Sequence, residues 1–337
     1  MTVRIAINGF GRIGRMTFRQ LYSLAEFEIA AINDIVSPDL SAYLLKFDTT
    51  QGKFDLADYV DSGDNYISVD DIKIPFFQEQ DASRLPWKNL NIDIVLECSG
   101  AYLSKEKSQA HLAAGAKHVV ISAPAGTDIP TIVFGVNENT LSTEDKIISG
   151  ASCSTNALAP MVKILNDYAT IKSGMMLVVH GYTSTQMLLD NAQKKGNFRR
   201  SRAAADNIIP TTAEAAKAVG RVIPELNGKL FGSAVRVPVP VGCLITFTAV
   251  VMGSNITAND INKTMKSSAT EIFGYTEEEY VSSDIVGNTF ASIFDSSQTL
   301  VSKISNNEYQ VRIAAWFDNE NSFVSQLVRL IQYYSNL

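Results

Sequence analysis

The chain has 337 residues, of which 46% are hydrophobic and 19% charged, with 35 acidic against 29 basic side chains and a formal net charge of -6. That length holds one large domain or two ordinary ones, and no apolar stretch approaches the roughly 20 residues of a membrane span. The acidic balance argues against a nucleic-acid partner, since the densest basic cluster, Arg199-Arg200-Ser201-Arg202, is too short to make a phosphate-binding surface.

Residues 1–7 read as the start of a strand rather than as a signal peptide, and the first element is a strand over Val3–Asn8. It runs directly into Gly9-Phe10-Gly11-Arg12-Ile13-Gly14, a G-x-G-x-x-G pattern, and then into a helix predicted over Arg15–Leu24. In that setting Gly9 allows a tight turn, Gly11 lets a pyrophosphate approach the backbone, and Gly14 lets helix and strand pack closely. The helix N-terminus adds N–H donors and the positive end of its dipole. A second strand, Glu28–Asn33, leads to Asp34, 20 residues after Gly14. A carboxylate there accepts hydrogen bonds from ribose hydroxyls and repels a 2′-phosphate, which favours NAD over NADP. Polar, turn-rich sequence follows from Asp48 to Asp81, with short strands at Tyr66–Val69 and Ile72–Phe77. Asp93–Cys98 is a strand bounded by Ser99-Gly100, Lys105–Ala114 a helix stopped by Gly115, and Val119–Ser122 a further strand. This alternation predicts a Rossmann-type, doubly wound parallel sheet.

The apolar pair Ile147-Ile148 ends at Ala151-Ser152-Cys153-Ser154-Thr155-Asn156, where a helical pattern begins. A cysteine at a strand-to-helix junction meets unpaired backbone N–H groups and the positive dipole end, both of which favour the nucleophilic thiolate. His180 follows 27 residues later, at the end of the apolar run Met175–Val179, and is a candidate base for that thiol. From here the pattern changes to long strands, predicted over Gly174–Tyr182, Lys229–Val237, Cys243–Met252 and Gln310–Phe317. Helices are predicted over Ala213–Val219, Ala258–Phe273 and Ser322–Tyr334. A second, α+β domain on a mixed, largely antiparallel sheet is expected. Gln186–Asp206 is charged and aperiodic, and reads as a long ordered loop at a functional site or an interface. The three cysteines, Cys98, Cys153 and Cys243, form no metal-ligand spacing with histidine. An odd, sparse count without a secretion signal suits a cytoplasmic protein. His111 and His118 are expected to be structural or exposed.

Eight blocks carry a resemblance that covers essentially the whole chain: Asn8–Arg15, Tyr43–Phe54, Ala151–Pro160, Val179–Thr183, Arg199–Ala205, Ala215–Leu230, Arg236–Pro240 and Trp316–Glu320. The chain resembles the phosphorylating, glycolytic glyceraldehyde-3-phosphate dehydrogenases. The resemblance implies an NAD-binding domain over residues 1–151, completed by a C-terminal helix over 319–337, and a catalytic domain over 152–318. It implies that Cys153 forms a hemithioacetal and then a thioester with glyceraldehyde 3-phosphate, that His180 moves the proton, and that inorganic phosphate releases the acyl group. Cofactor contacts would fall on Arg12, Ile13, Asp34, Ser122 and Asn319, the last on the nicotinamide carboxamide. Thr183, Thr185 and Arg236 would meet the substrate's phosphate, and Ser152, Ser154 and Arg200 the attacking phosphate. Arg236, in the apolar segment Ala234–Pro238, is costly to bury without an anion. A homotetramer is typical of the family, with Gln186–Asp206 at a subunit interface. Two other readings remain: a paralogue for a longer phosphorylated aldehyde such as erythrose 4-phosphate, and an idle NAD-binding interaction protein.

The chain departs from the family's pattern in four places. Ala213-Glu214 replaces a usual Thr-Gly at the attacking-phosphate site, removing a hydroxyl and adding a charge, which predicts weaker or displaced phosphate binding. Lys217, one turn on, is placed to neutralise part of that charge. Ala157 replaces a frequent second cysteine, removing one disulfide trap for an oxidised Cys153. Asn191-Ala192 replaces a Gly-Pro, and Gln80 stands for an arginine, near the cofactor's adenosine end; neither Ile35 nor Ala192 offers a donor to a 2′-phosphate.

Overall fold

The structure, a computed structural model, describes residues 2–193 and 196–337. The chain divides into two compact units. The first takes the chain up to Phe134, Glu138–Ser152 and Leu327–Leu337; the second takes Gly135–Asn137 and Cys153–Gln326.

In chain order the first unit runs β1 (Val3–Asn8), α1 (Arg12–Leu21), β2 (Phe27–Asn33), α2 (Pro38–Lys46), β3 (Val60–Gly63), β4 (Tyr66–Val69), β5 (Ile72–Phe77), β6 (Ile94–Glu97), α3 (Lys105–Ala113), β7 (His118–Ile121) and β8 (Ile147–Ser149). The sheet order is β3-β4-β5-β2-β1-β6-β7-β8. Pairings from β5 through β8 are parallel, and only β3 and β4 are antiparallel. The strand order reverses beside β1, the switch point at which such sheets bind ligands outside their carboxyl ends. Ile5, Ala6 and Ile7 of β1 are completely buried, as befits a strand covered on both faces. α1 starts at Arg12, three residues ahead of its predicted start, with Gly11 as its N-cap. The predicted elements omit α2, where Ser37 precedes a proline at the first helical position.

In the second unit α4 (Cys153–Tyr168) leads to β9 (Thr170–Gly181), β10 (Ile209–Thr212), α5 (Ala215–Val222), β11 (Leu230–Val237), β12 (Cys243–Met252), α6 (Ala258–Ser267), β13 (Phe273–Thr276), β14 (Ser292–Asp295), β15 (Leu300–Lys303) and β16 (Glu308–Phe317). The sheet order is β10-β11-β9-β12-β16-β14-β13, and β15 also pairs with β16. β11 with β9 and β13 with β14 are parallel; the remaining pairs are antiparallel. β12 alternates strictly, with Cys243, Ile245, Phe247, Ala249 and Val251 buried on one face. The buried face of α4 carries Leu158, Met161, Val162 and Leu165. One predicted element is corrected: the helix expected to reach Phe273 stops at Ser267, and Phe273 opens a strand. Ser267, Ser268 and Thr270 are poor helix interior residues, and Thr270 closes a turn by donating its N–H to the Phe273 carbonyl. The short strands β10, β13, β14 and β15 escape sequence periodicity because four residues barely show an alternation. Among the described residues no helix is long and apolar enough to cross a membrane.

α7 (Asn321–Tyr334) carries the chain back into the first unit at Leu327. Its last residue is fastened there by a partly buried relay. The Tyr334 hydroxyl donates to the Asp145 carbonyl and sits 2.5 Å from His118 Nδ1. Burial pushes that hydroxyl's pKa up, so it keeps its proton, and His118 Nδ1 is then the donor to the phenolic oxygen. Tyr334→Phe leaves both partners unsatisfied. It should cost about 1–3 kcal/mol of stability, read as a lower denaturant midpoint with an unchanged slope.

Candidate active site

Three register relations assemble the site in the second unit. β9 and β11 run parallel with His180 opposite Arg236. β10 sets Ile209 opposite Arg236 on the other side. β12 lies on the far side of β9, with Leu244 opposite Val179, so Cys243 comes level with the end of β9. α4 presents Cys153 as its first residue. The turn that precedes it is tight: Ala151 holds φ +62°, a conformation that a residue with a Cβ adopts at a cost of about 1–3 kcal/mol.

Cys153 Sγ lies 3.6 Å from His180 Nε2 and 3.9 Å from Ser154 Oγ. His180 is buried, and its ring meets Phe317 edge-on. His180 Nδ1 is 2.7 Å from the Gly181 carbonyl and 2.7 Å from Arg236 Nη1, which also donates to that carbonyl at 2.8 Å. Desolvation and then the Arg236 cation push the imidazole down to about 3. It is therefore a neutral base at any working pH. Burial pushes the Cys153 thiol up, while Arg236, the Ser154 hydroxyl and the N–H groups of Ser154 and Cys153 pull it down. The helix N-terminus acts in the direction the sequence implies, but desolvation outweighs it, and the net direction is upward.

A second cluster is built from the ordered loop between β9 and β10. Thr183 and Thr185 share a hydrogen bond of 2.9 Å, and Arg200 donates to Thr185 at 2.9 Å and to Thr211 at 3.2 Å. Arg200 Nε and Arg236 Nε are both buried without a hydrogen-bond partner among the described residues. Two guanidinium edges left this way suit an oxyanion, which would complete them. Thr211 is absent from the sequence-derived set, and nothing in its local pattern marks it. Asn319 enters through Cys243: that buried thiol accepts from Gly181 N at 3.4 Å and donates to Asn319 Oδ1 at 3.3 Å. Gln186–Asp206, apart from Lys194 and Lys195, which lie outside the described residues, is held by Asp190. That side chain takes Arg202 Nε at 2.7 Å and Ala203 N at 2.9 Å. Glu214 precedes α5, is 69% exposed and pairs with Lys217 at 3.6 Å. Among the described residues no group of three or more His, Cys, Asp or Glu side chains is placed to hold a metal ion.

The nucleotide candidates lie in the first unit. A cavity at the carboxyl ends of β1 and β2 is lined by Asn8, Gly9, Gly11, Asp34, Gln80 and Tyr102, among others. Gly9 sits at φ +93°, and a Cβ on it would fall 2.4 Å from Ser99 N. A Cβ on Gly14 would stand 2.2 Å from the Gly9 carbonyl oxygen, whereas one on Gly11 would meet nothing within 4 Å. Those are the turn, packing and open-approach roles that a dinucleotide loop requires. Asp34 accepts Phe10 N at 2.5 Å and Val36 N at 3.1 Å, so it braces the loop as well as lining the cavity. Arg12, Ile13, Gly14 and Ser122 do not line it. Arg12 is ion-paired with Asp48 and donates to Thr50, and Ser122 Oγ donates to the Glu97 carbonyl.

Arg236→Gln removes the cation that holds the thiol down and the imidazole lower still. The midpoint of Cys153 alkylation by iodoacetamide should move to higher pH. A rate-against-pH profile that does not move would show that Arg236 has no hold on the sulfur.

Comparison with known proteins bears directly on these two units. The family model for the "NAD binding domain" of glyceraldehyde 3-phosphate dehydrogenase matches residues 3–105, and that for its "C-terminal domain" matches residues 152–319. The chain is 48% identical to the glyceraldehyde-3-phosphate dehydrogenase of Clostridium pasteurianum over 334 residues, 99% of each protein. It is 47% identical to that of Clostridium acetobutylicum, again over 99% of each. It is 45% identical to that of Streptococcus pyogenes over 338 residues, 100% of this chain and 99% of the relative. With the two models matching residues 3–105 and 152–319 and 45–48% identity over essentially the full length, the chain belongs to the glyceraldehyde-3-phosphate dehydrogenase family.

Proposed function

We propose that the protein oxidises glyceraldehyde 3-phosphate with NAD and inorganic phosphate, giving 1,3-bisphosphoglycerate, as a cytoplasmic glycolytic enzyme. The observation that carries this reading is the Cys153–His180 pair at 3.6 Å, set beside two half-buried arginines whose buried Nε atoms have no hydrogen-bond partner among the described residues. A nucleophile, a base and cationic anchors for phosphate in one place suit acyl chemistry on a phosphorylated aldehyde.

On this reading Cys153 attacks the aldehyde carbon. His180 Nδ1 lies 2.7 Å from both the Gly181 carbonyl, which also accepts Arg236, and Arg236 Nη1; the base role requires the tautomer in which Nδ1–H donates to Gly181 and Nε2 is bare toward the sulfur. In that tautomer His180 would take the thiol proton, return it to the alkoxide to give the hemithioacetal hydroxyl, and take it back as the hydride leaves. The backbone N–H of Cys153, at the helix start, would serve as a donor to the developing oxyanion. Bound NAD supplies the hydride acceptor. Asn319 Oδ1 is engaged by Cys243, so its Nδ2–H groups are the ones that would hold the nicotinamide carboxamide. Asp34 would take the adenosine ribose, with Gly9, Gly11, Arg12, Ile13, Gly14 and Ser122 forming or backing the phosphate loop. Thr183, Thr185 and Arg236 would hold the substrate's phosphate, and Ser152, Ser154 and Arg200 the attacking one. The thioester keeps the oxidation energy until phosphate displaces the sulfur.

The first unit, with the C-terminal part of α7, would then be the cofactor domain and the second the catalytic domain. A homotetramer is supported by the face of the second sheet that carries Met175, Leu177 and Phe231, which are 69%, 39% and 58% exposed. It is also supported by Leu188 and Phe198 of the long loop, 80% and 92% exposed.

Two measurements test the function. NAD reduction with glyceraldehyde 3-phosphate should require phosphate or arsenate, run far faster than with NADP, and fall by at least about a thousandfold in Cys153→Ser. A higher kcat/KM for erythrose 4-phosphate would point to the paralogue instead. The solvent-facing, Lys217-paired Glu214 should weaken phosphate binding only modestly, since exposed charge pairs are worth up to about 1 kcal/mol. Ala213→Thr with Glu214→Gly should therefore lower the phosphate KM by about two- to fivefold; an unchanged value removes the idea.

A further inference from the structure

Glu97 closes β6 with a side chain that is completely buried, and among the described residues no lysine or arginine pairs with it. Instead five donors converge on the carboxylate. Oε1 accepts from Ser99 N at 2.7 Å, Gly100 N at 3.2 Å and the Ser99 hydroxyl. Oε2 accepts from Asn8 Nδ2 at 2.5 Å and His111 Nε2 at 3.1 Å. The proton on His111 is assigned by its other side. Trp87 Nε1, which can only donate, points at His111 Nδ1 at 3.1 Å, so Nδ1 is bare and the ring's single proton lies on Nε2. Trp87 and His111 are themselves fully buried. Glu97 is thus an acceptor on every side, and its charge is met by oriented N–H and O–H dipoles alone.

Burying an unpaired carboxylate is costly, and an apolar side chain would fill the same space without that cost. The donors indicate what the charge is for. Ser99 and Asn8 line the cavity beside the glycine loop. The Ser99 backbone is the surface against which Gly9 makes its left-handed turn, as the 2.4 Å approach of a Gly9 Cβ to Ser99 N records. Asn8 passes the restraint onward, since its Oδ1 accepts Asn33 Nδ2 at 2.7 Å, and Asn33 holds Glu79 of the cavity wall.

We propose that Glu97 is a positioning residue for the cofactor, whose buried carboxylate fixes the Ser99–Gly100 turn and Asn8 in the arrangement that shapes the nucleotide cavity before the ligand arrives. The proposal rests on the reading that this cavity takes the adenosine half of NAD. Glu97→Gln keeps the volume but places an N–H₂ group against either Asn8 and His111 or the Ser99 and Gly100 amides. His111 cannot yield its proton to relieve this while Trp87 occupies Nδ1.

The test is titration calorimetry of NAD and of ADP-ribose with the full-length protein, together with steady-state kinetics. In Glu97→Gln both dissociation constants should rise by the same factor, on the order of tenfold. The kcat at saturating NAD should stay within about twofold, and the KM for glyceraldehyde 3-phosphate should not move. If Glu97→Gln fails to fold, Ser99→Ala decides: it deletes one donor and should raise both constants two- to fivefold with kcat retained. Unchanged affinity in the folded variant overturns the proposal. So does a loss spread equally over NAD affinity, kcat and aldehyde KM, which would mean a general structural role. Failure of the unsubstituted protein to bind either ligand would instead overturn the assignment of the cavity.

Discussion

The parallel register of β9 and β11 puts a permanent cation beside an imidazole, and the chemistry available to this protein follows from that placement. Arg236 lies opposite His180, and both reach the Gly181 carbonyl. Burial first, and then the arginine, disfavour an imidazolium, so the ring waits as a neutral base; burial raises the thiol, and the arginine pulls it back toward ionisation. One residue therefore separates the acid–base roles of two neighbours. A single guanidinium nitrogen, Nη1, makes both contacts, to His180 Nδ1 and to the Gly181 carbonyl.

The same arrangement leaves a binding capacity unspent. Arg236 and Arg200 each keep a buried Nε without a hydrogen-bond partner among the described residues, and the threonine hydroxyls beside Arg200 are already linked in a chain. A phosphorylated substrate entering such a site satisfies donors that water reaches poorly, and the gain is largest for a dianion. Cys243 ties this centre to Asn319 through Gly181, so the base, the phosphate anchor and the residue proposed for the carboxamide share one short stretch of backbone.

The first unit follows a different rule. Its glycine loop carries little charge of its own; shape does the selecting, through a left-handed turn at Gly9 and close packing at Gly14. The buried Glu97 network stiffens that shape from beneath with dipoles, while Asp34 braces it at the rim. Pre-organisation of this kind reduces the ordering cost that a flexible nucleotide imposes on its site.

Much of this was legible in chain order. A glycine fingerprint between a strand and a helix, an acidic residue after the next strand, and a cysteine at a strand-to-helix junction depend on local geometry, which a few consecutive residues fix by themselves. The long strands β9, β11 and β12 announced themselves through alternation and length. The short strands at the sheet's edge did not, and the helix expected to reach Phe273 broke at a run of serines and threonines. Asn8, Trp87, Glu97 and His111 looked like ordinary polar or core residues, because their meaning lies in contacts spanning up to 89 positions. Local conformation is set by neighbours along the chain, but the protonation state of Cys153, the partner of Arg236 and the burial of Glu97 depend on which strands pair and in what register, and only the packed sheets settle that.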